Sequence, residues 1–300
     1  MLNTTRLRIL REIAARGSIS GAAEALWLTP SAVSQQMSTL ERELGVELLQ
    51  RTPRSVCLTD AGKRLVAHAE TILADCEAAV ADLEAHHGLV SGVVRVSAFS
   101  TAAHAFLLPA LAMLRERSPG LAVHATDLEP HESMPALKSG QLDLVVSHEY
   151  NLLPPYSDPG VDRFDIITER MLLALPARHP LANAPITRLS DFADERWIVG
   201  REATFCRDAV IRAAHLAGFD PTVDLQFNDY RMIADAVRRG LGVALIPRIA
   251  DVHGIPGLSL RALEEPRLER TIFAAVRKGS AESPGLAAVL SALREASGEG

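Results

Sequence analysis

The most constraining feature of this chain is a single apolar stripe at helical spacing. Leu65, Ala69, Ile72, Cys76, Ala79 and Leu83 recur every three or four positions between Thr59 and Gly88. At 3.6 residues per turn this is a helix of about eight turns, with Lys63, Arg64, Glu70, Asp75, Asp82 and Glu84 on its other face. A helix that long with one apolar stripe needs something to cover the stripe, so the pattern predicts a dimer contact through Leu65, Ile72, Cys76 and Leu83. The competing reading packs the stripe on its own chain. In both, the helix divides the chain into a part before residue 60 and a part after residue 88.

The first part reads as short helices closed by turn chemistry. Leu7, Leu10, Ile13 and Ala14 form one stripe that Gly17 stops; Ser18 or Ser20 can cap a second, two-turn helix through Ile19, Ala22, Ala23 and Leu26. Thr29 can cap a third helix with Pro30 at its first position, ended by Gly45. On that third helix Val33, Met37, Leu40 and Leu44 share an arc, while Ser31, Ser34, Gln35, Ser38 and Arg42 lie roughly opposite. A solvated face usually carries Lys and Glu, whereas Ser and Gln can hydrogen-bond to base edges or phosphates. The preceding helix and tight turn complete a helix-turn-helix, and the strands near Leu48-Leu49 and Val56-Cys57-Leu58 flank a Thr52-to-Ser55 tip like a wing. Arg51 and Arg54 there can reach phosphates or a minor groove.

Composition limits the partner. With 31 basic against 37 acidic residues the chain carries a net −6, which excludes a uniformly basic coat but not a local basic surface. The three cysteines, Cys57, Cys76 and Cys206, are scattered, without metal-ligand spacing, and suit a reducing compartment; Cys57 and Cys76 read as buried small apolar residues. The arginine-bearing amino terminus lacks a secretory pattern and no stretch is long and apolar enough for a membrane span, so a cytoplasmic location is expected.

Beyond Gly88 strands alternate with helices: strands at Val93 to Val96, Leu121 to Thr126 and Leu142 to Ser147, helices at Ala102 to Arg117 and Met134 to Ser139. After a turn-rich loop from Leu153 to Gly160 the alternation resumes to the end of the chain. Such βαβ alternation predicts parallel sheets covered on both faces.

Four blocks carry a resemblance. They are Gly17 to Leu26, Ser31 to Met37, Leu40 to Val46 and Leu58 to Gly62, and in this order they resemble the signature of LysR-type transcriptional regulators. The resemblance implies an N-terminal all-α winged helix-turn-helix over residues 1–59, a dimerising linker helix over 60–88, and an α/β effector-binding domain over 89–300. That domain would have two lobes of the periplasmic-binding-protein type 2, lobe I about 91–165 with 269–300 and lobe II about 166–268. It also implies self-association to a dimer or tetramer, double-stranded operator DNA as partner, and possible contact with RNA polymerase. Ser20, Thr29, Pro30, Ser31, Ser34, Gln35, Ser38, Arg51 and Arg54 are the expected DNA surface. Pro30 stands where many members have Gln, and Gln35 where Arg is frequent, so that surface lacks an amide and a guanidinium common in the family.

Ligands of parallel α/β lobes bind beyond the carboxyl ends of strands. Ser100 and Thr101 have that placement, as do His148, the Arg201-to-Thr204 turn and Asn228. Their chemistry points to a carboxylate or amino-acid-like effector held by Ser100, Thr101, Arg201 and Thr204, with His148 as a pH-sensitive contact. Acidic Glu149, Glu202 and Asp229 nearby would select an amino group. No catalytic or metal site is expected and no cofactor. Gly240-Leu241-Gly242 runs into a strand, and Ser100, His104 and Asp127 have nothing to order them as a triad. Two alternatives stay open: a redox regulator of the same fold using Cys206, and a solute-binding protein that touches no DNA.

Overall fold

The computed structural model describes residues 2–26, 28–51, 56–86, 90–158, 160–184 and 187–298. At the amino end, α1 (Thr4–Arg16), α2 (Ile19–Ala25) and α3 (Pro30–Leu44) start at side-chain caps, with Asn3, Ser18 and Thr29 each accepting from a backbone N–H. Gly17 and Gly45 end α1 and α3 at φ of 64° and 68°, a left-handed conformation that costs glycine little. Ile9, Leu10, Ile13, Ala22, Val33, Met37 and Leu40 pack into one core beneath a two-stranded wing, β1 (Leu49–Arg51) and β2 (Val56–Leu58). Leu44, expected in that core, is 40% exposed at the last turn of its helix.

Two features bind wing to helices. The Glu41 carboxylate accepts from the backbone N–H of Leu48 and Leu49 at 2.9 and 3.0 Å. A Cβ at position 62 would collide with the Leu48 carbonyl, so only glycine lets the next helix, α4 (Asp60–His86), lie this close.

The stripe of α4 has two fates. Its first half packs on the chain itself: Ala69 and Leu73 are buried with Leu7, and Leu65 and Ile72 are partly covered there. Its second half is open, with Cys76 exposed, Val80 56% exposed and Leu83 67% exposed. Cys57 is exposed as well, so neither of these cysteines is the buried residue expected.

The remaining chain forms β3 (Gly92–Ala98), α5 (Ser100–Ala102) running through a π-helical turn (Ala103–Leu107) into α6 (Leu108–Arg117), β4 (Leu121–Asp127), α7 (Pro130–Ser139), β5 (Leu144–Tyr150) and β6 (Val161–Pro176). Then come β7 (Arg196–Val199), α8 (Phe205–Leu216), β8 (Thr222–Gln226), α9 (Tyr230–Arg238), β9 (Ala244–Pro247), β10 (Leu258–Ala262), β11 (Glu269–Arg277) and α10 (Pro284–Ala296). In lobe I the strand order β4-β3-β5-β11-β6 puts Leu144 and Val146 against α6 and α10, and Val145 and Phe273 against α7. This period-two burial on both faces is what near-continuous apolar strands predict.

The sheets are not purely parallel as expected. β3 pairs in parallel with β4 and β5, and β7 with β8, but β11 runs antiparallel to β5 and β6, and β6 antiparallel to β9 and β10. The physical reason is β6 itself. This strand pairs with β11 from Val161 to Arg170 and with the lobe II strands from Met171 to Pro176, so one long strand, not a helical crossover, carries the chain between lobes. The handover lies near residue 170, beyond the expected 165–166 boundary. β6 and β11 thereby form a two-strand hinge under the cleft.

Candidate nucleic-acid interface and effector cleft

The third helix buries Val33, Met37 and Leu40 and turns its other side outward. Ser20, in the first turn of α2, and Thr29, Pro30, Ser31, Gln35 and Ser38, at the cap and along α3, are exposed, and Ser34 is half-buried. Thr29 Oγ1 accepts from Ala32 N at 3.2 Å and lies 3.0 Å from Ser31 Oγ. The cap thus leaves the N-terminal turn of α3, with its positive helix end, facing out. Arg51 falls in β1, of which the backbone alone is described, and Arg54 lies outside the described residues.

Between the lobes lies a cleft of about 410 Å³, solvent space at its mouth included, that gathers residues from six segments. Ser100, Thr101, His148, Thr204 and Asn228 line it as the sequence suggests; Phe99, Glu129, Tyr150, Gly200, Cys206, Phe227, Tyr230 and Arg270 complete it. Arg201 does not line the cleft. The residue is exposed, and its backbone N–H donates to Asn228 Oδ1 at 2.9 Å.

The cation of the cleft is Arg270, on β11. It is 1% exposed, donates through Nε to Glu169 Oε1 at 3.0 Å and through Nη2 to Thr101 Oγ1 at 3.4 Å, and sits 5.2 Å over the Phe99 ring. Burial works against its charge, but Tyr150, Glu169 and Tyr230 outweigh that and hold the guanidinium above its ordinary pKa. The other Glu169 oxygen accepts from Ile249 N at 2.9 Å, so one buried ion pair ties both hinge strands to the walls of the cleft. No local pattern announces it, since the partners are 101 positions apart.

His148 is fully enclosed, edge-on to Phe99 at 4.5 Å and to Tyr150 at 5.4 Å between ring centroids, and its Nδ1 has no hydrogen-bond partner among the described residues. Burial and then Arg270 push its pKa well below 6.5, so the imidazole is neutral near pH 7 and is not the physiological pH contact the sequence suggests. The acids differ too. Glu149 pairs with Arg163 at 2.7 Å and Asp229 caps α9 through Arg231 N and Met232 N, while Glu202 is exposed outside the lining. The acid at the cleft is Glu129, whose pKa burial and Asp127 raise.

Thr204 Oγ1 is spent on its own turn, donating to Arg201 O at 2.7 Å and capping α8. Ser100 is the contrast. The helix begun by α5 has Phe99 at its cap and no side chain closing its first N–H groups, and its first residues, Ser100 and Thr101, line the cleft. Cys206 Sγ lies 3.0 Å from the Tyr230 hydroxyl, and burial pushes its thiol pKa up, the opposite of what a peroxide-reactive thiolate requires. The other cysteines sit in the wing and in α4.

A winged reading head joined by a long helix to a two-lobed binding domain is the build of a transcription regulator that carries its own sensor. The comparisons agree. Residues 4–63 match the bacterial regulatory helix-turn-helix model of the lysR family, and residues 87–298 match the LysR substrate binding domain model. The chain is 32% identical over 299 residues, 99% of its length and 98% of the relative's, to a probable HTH-type transcriptional regulator, LrrA, of Synechococcus elongatus. It is 31% identical over 276 residues, 91% of its length and 84% of the relative's, to a probable hydrogen peroxide-inducible genes activator of Mycobacterium avium. Among solved structures, a full-length OxyR variant of Pseudomonas aeruginosa superposes with a TM-score of 0.66 at 22% identity over 98% of this chain and 95% of that one. The chain belongs to the LysR family of DNA-binding transcriptional regulators and is not an enzyme. Among the described residues no helix is long and apolar enough to cross a membrane.

Proposed function

We propose that this regulator senses a small carboxylate, with room for an amino or hydroxyl donor, in the cleft between its lobes. The observation that carries this is the uncapped helix start at Ser100 and Thr101 beside Arg270. Backbone N–H groups, two hydroxyls and a guanidinium share one wall there, and together they suit an anionic group. Glu129 and the Asn228 side chain also line the cleft and can accept from a donor on the same molecule. Phe99, Tyr150, Phe227 and Tyr230 give the rest of the cavity an aromatic lining that suits an apolar portion of the same molecule. The exposed second half of the α4 stripe, Cys76, Val80 and Leu83, supports a dimer contact that places two α3 helices on one cytoplasmic operator.

Thermal-shift screening of organic acids and amino acids tests the effector reading. A stabilising compound is expected whose shift is lost in Ser100→Ala and retained in Arg201→Ala. A compound whose shift survives Ser100→Ala places the effector elsewhere.

A further inference from the structure

A second pocket, far from the cleft, lies where the reading head meets lobe I. It holds about 440 Å³, solvent space at its mouth included, between α1, α4, the end of α7 and the end of β11. Arg8, Arg11, Lys138, Arg277 and Lys278 line it against one lining carboxylate, Glu70. Three of these cations are already answered, Lys138 by Asp158 at 2.8 Å, Arg277 by Asp143 at 3.2 Å, and Arg8, which is engaged as well. Arg11 is not. Its side chain lies on the buried face of α1 with the residue 7% exposed, and its Nε has no hydrogen-bond partner among the described residues. The neighbouring acid on α1, Glu12, pairs with Arg16 through Oε2 at 3.1 Å, and its buried Oε1 has no hydrogen-bond partner among the described residues. Lys278 forms no ion pair among the described residues.

A buried guanidinium is normally paired, because desolvation of an unanswered charge is costly. Here burial above all, with the nearby Arg8 and Arg277, lowers the Arg11 pKa despite Glu12 and Glu70, as expected where a guanidinium is buried among other positive charges. We propose that this pocket is a binding site for a small phosphate-class oxyanion, held by Arg11 and Lys278 between the reading head and lobe I. Because α1 belongs to the head and β11 to lobe I, the anion bridges the two and favours the docked head, whose Ala25 carbonyl accepts from the Gln141 side chain at the same interface. This inference does not depend on the effector reading, since the two pockets share no residue.

The test is the melting temperature of the full-length chain, without DNA, in sodium phosphate, sodium chloride and sodium methyl phosphate at matched ionic strength. Phosphate is expected to raise Tm over chloride by at least about 2 °C. The increment is expected to vanish in Lys278→Gln, an exposed and well-tolerated change, and in Arg11→Gln, and to persist in Ser100→Ala. Equal action of methyl phosphate identifies a phosphate ester as an accepted occupant, and its inaction identifies the free anion; both support the site. Equal Tm in phosphate and chloride, or an increment that survives Lys278→Gln, overturns it. An increment lost in Ser100→Ala but kept in Lys278→Gln moves phosphate to the cleft and also overturns it.

Discussion

The reading head and the effector cleft are built on opposite principles. The head is assembled from neighbours: each of its three helices is capped by the residue before it, and the expected DNA face of α3 is the complement of the stripe that packs inward. The cleft is assembled from strangers, with Arg270 against Glu169 and Thr101, partners separated by 101 and 169 positions. Side chains that close helix ends in the head are there for stability, whereas the helix that opens on the cleft is left without one. Stability and binding therefore fall on different residues in the two regions.

The sharpest way to break the comparison is at the hinge. Glu169→Gln leaves Arg270 buried without its counter-charge and is expected to cost about 3–5 kcal/mol. Urea unfolding of the full chain measures it, and a loss below about 1 kcal/mol would show that the hinge pair is as dispensable as a surface one. A smaller effect comes from His148. Its folded pKa lies below 6.5, so on acidification the unfolded chain takes up a proton that the folded chain refuses. Its contribution to stability is complete above about pH 6.5 and is lost as pH falls toward the folded value. Glu129 acts in the other sense, its contribution present below about pH 4.5 and lost as pH rises through its raised value. The Tm of the wild type is expected to fall more steeply than that of His148→Gln between pH 7 and pH 5; parallel curves would mean that His148 is solvated.

The smallest effects sharpen the contrast. Thr29→Ala removes the α3 cap and is expected to cost about 1 kcal/mol. Ser100→Ala removes no cap and is expected to stay within about 0.5 kcal/mol. Equal losses in a denaturation series would show that Ser100 stabilises its helix and is not reserved for a ligand.

What the amino-acid pattern reveals follows the same division. Helix caps and stops at Ser18, Thr29, Gly17 and Gly45 are local chemistry, and they appear where the residues predict them. Ser100, Thr101, His148, Thr204 and Asn228 reach the cleft because loops at strand ends converge in any α/β lobe. Arg201 misleads because a charged residue at the right turn says nothing about which way its side chain faces. Arg270 and Glu169 escape because they sit inside strands, where a lone charge looks like an edge residue until the hinge buries both. The stripe on α4 is read correctly as apolar, but α1 already covers its first half.

The division of labour between α3 and the cleft is tested most directly by fluorescence anisotropy with the duplex that the full-length protein selects from a random-sequence library. Gln35→Ala is expected to weaken binding to that duplex by about 1–3 kcal/mol while leaving affinity for random DNA unchanged. Equal losses on selected and random DNA would contradict the account, because they would reduce the exposed face of α3 to a phosphate contact.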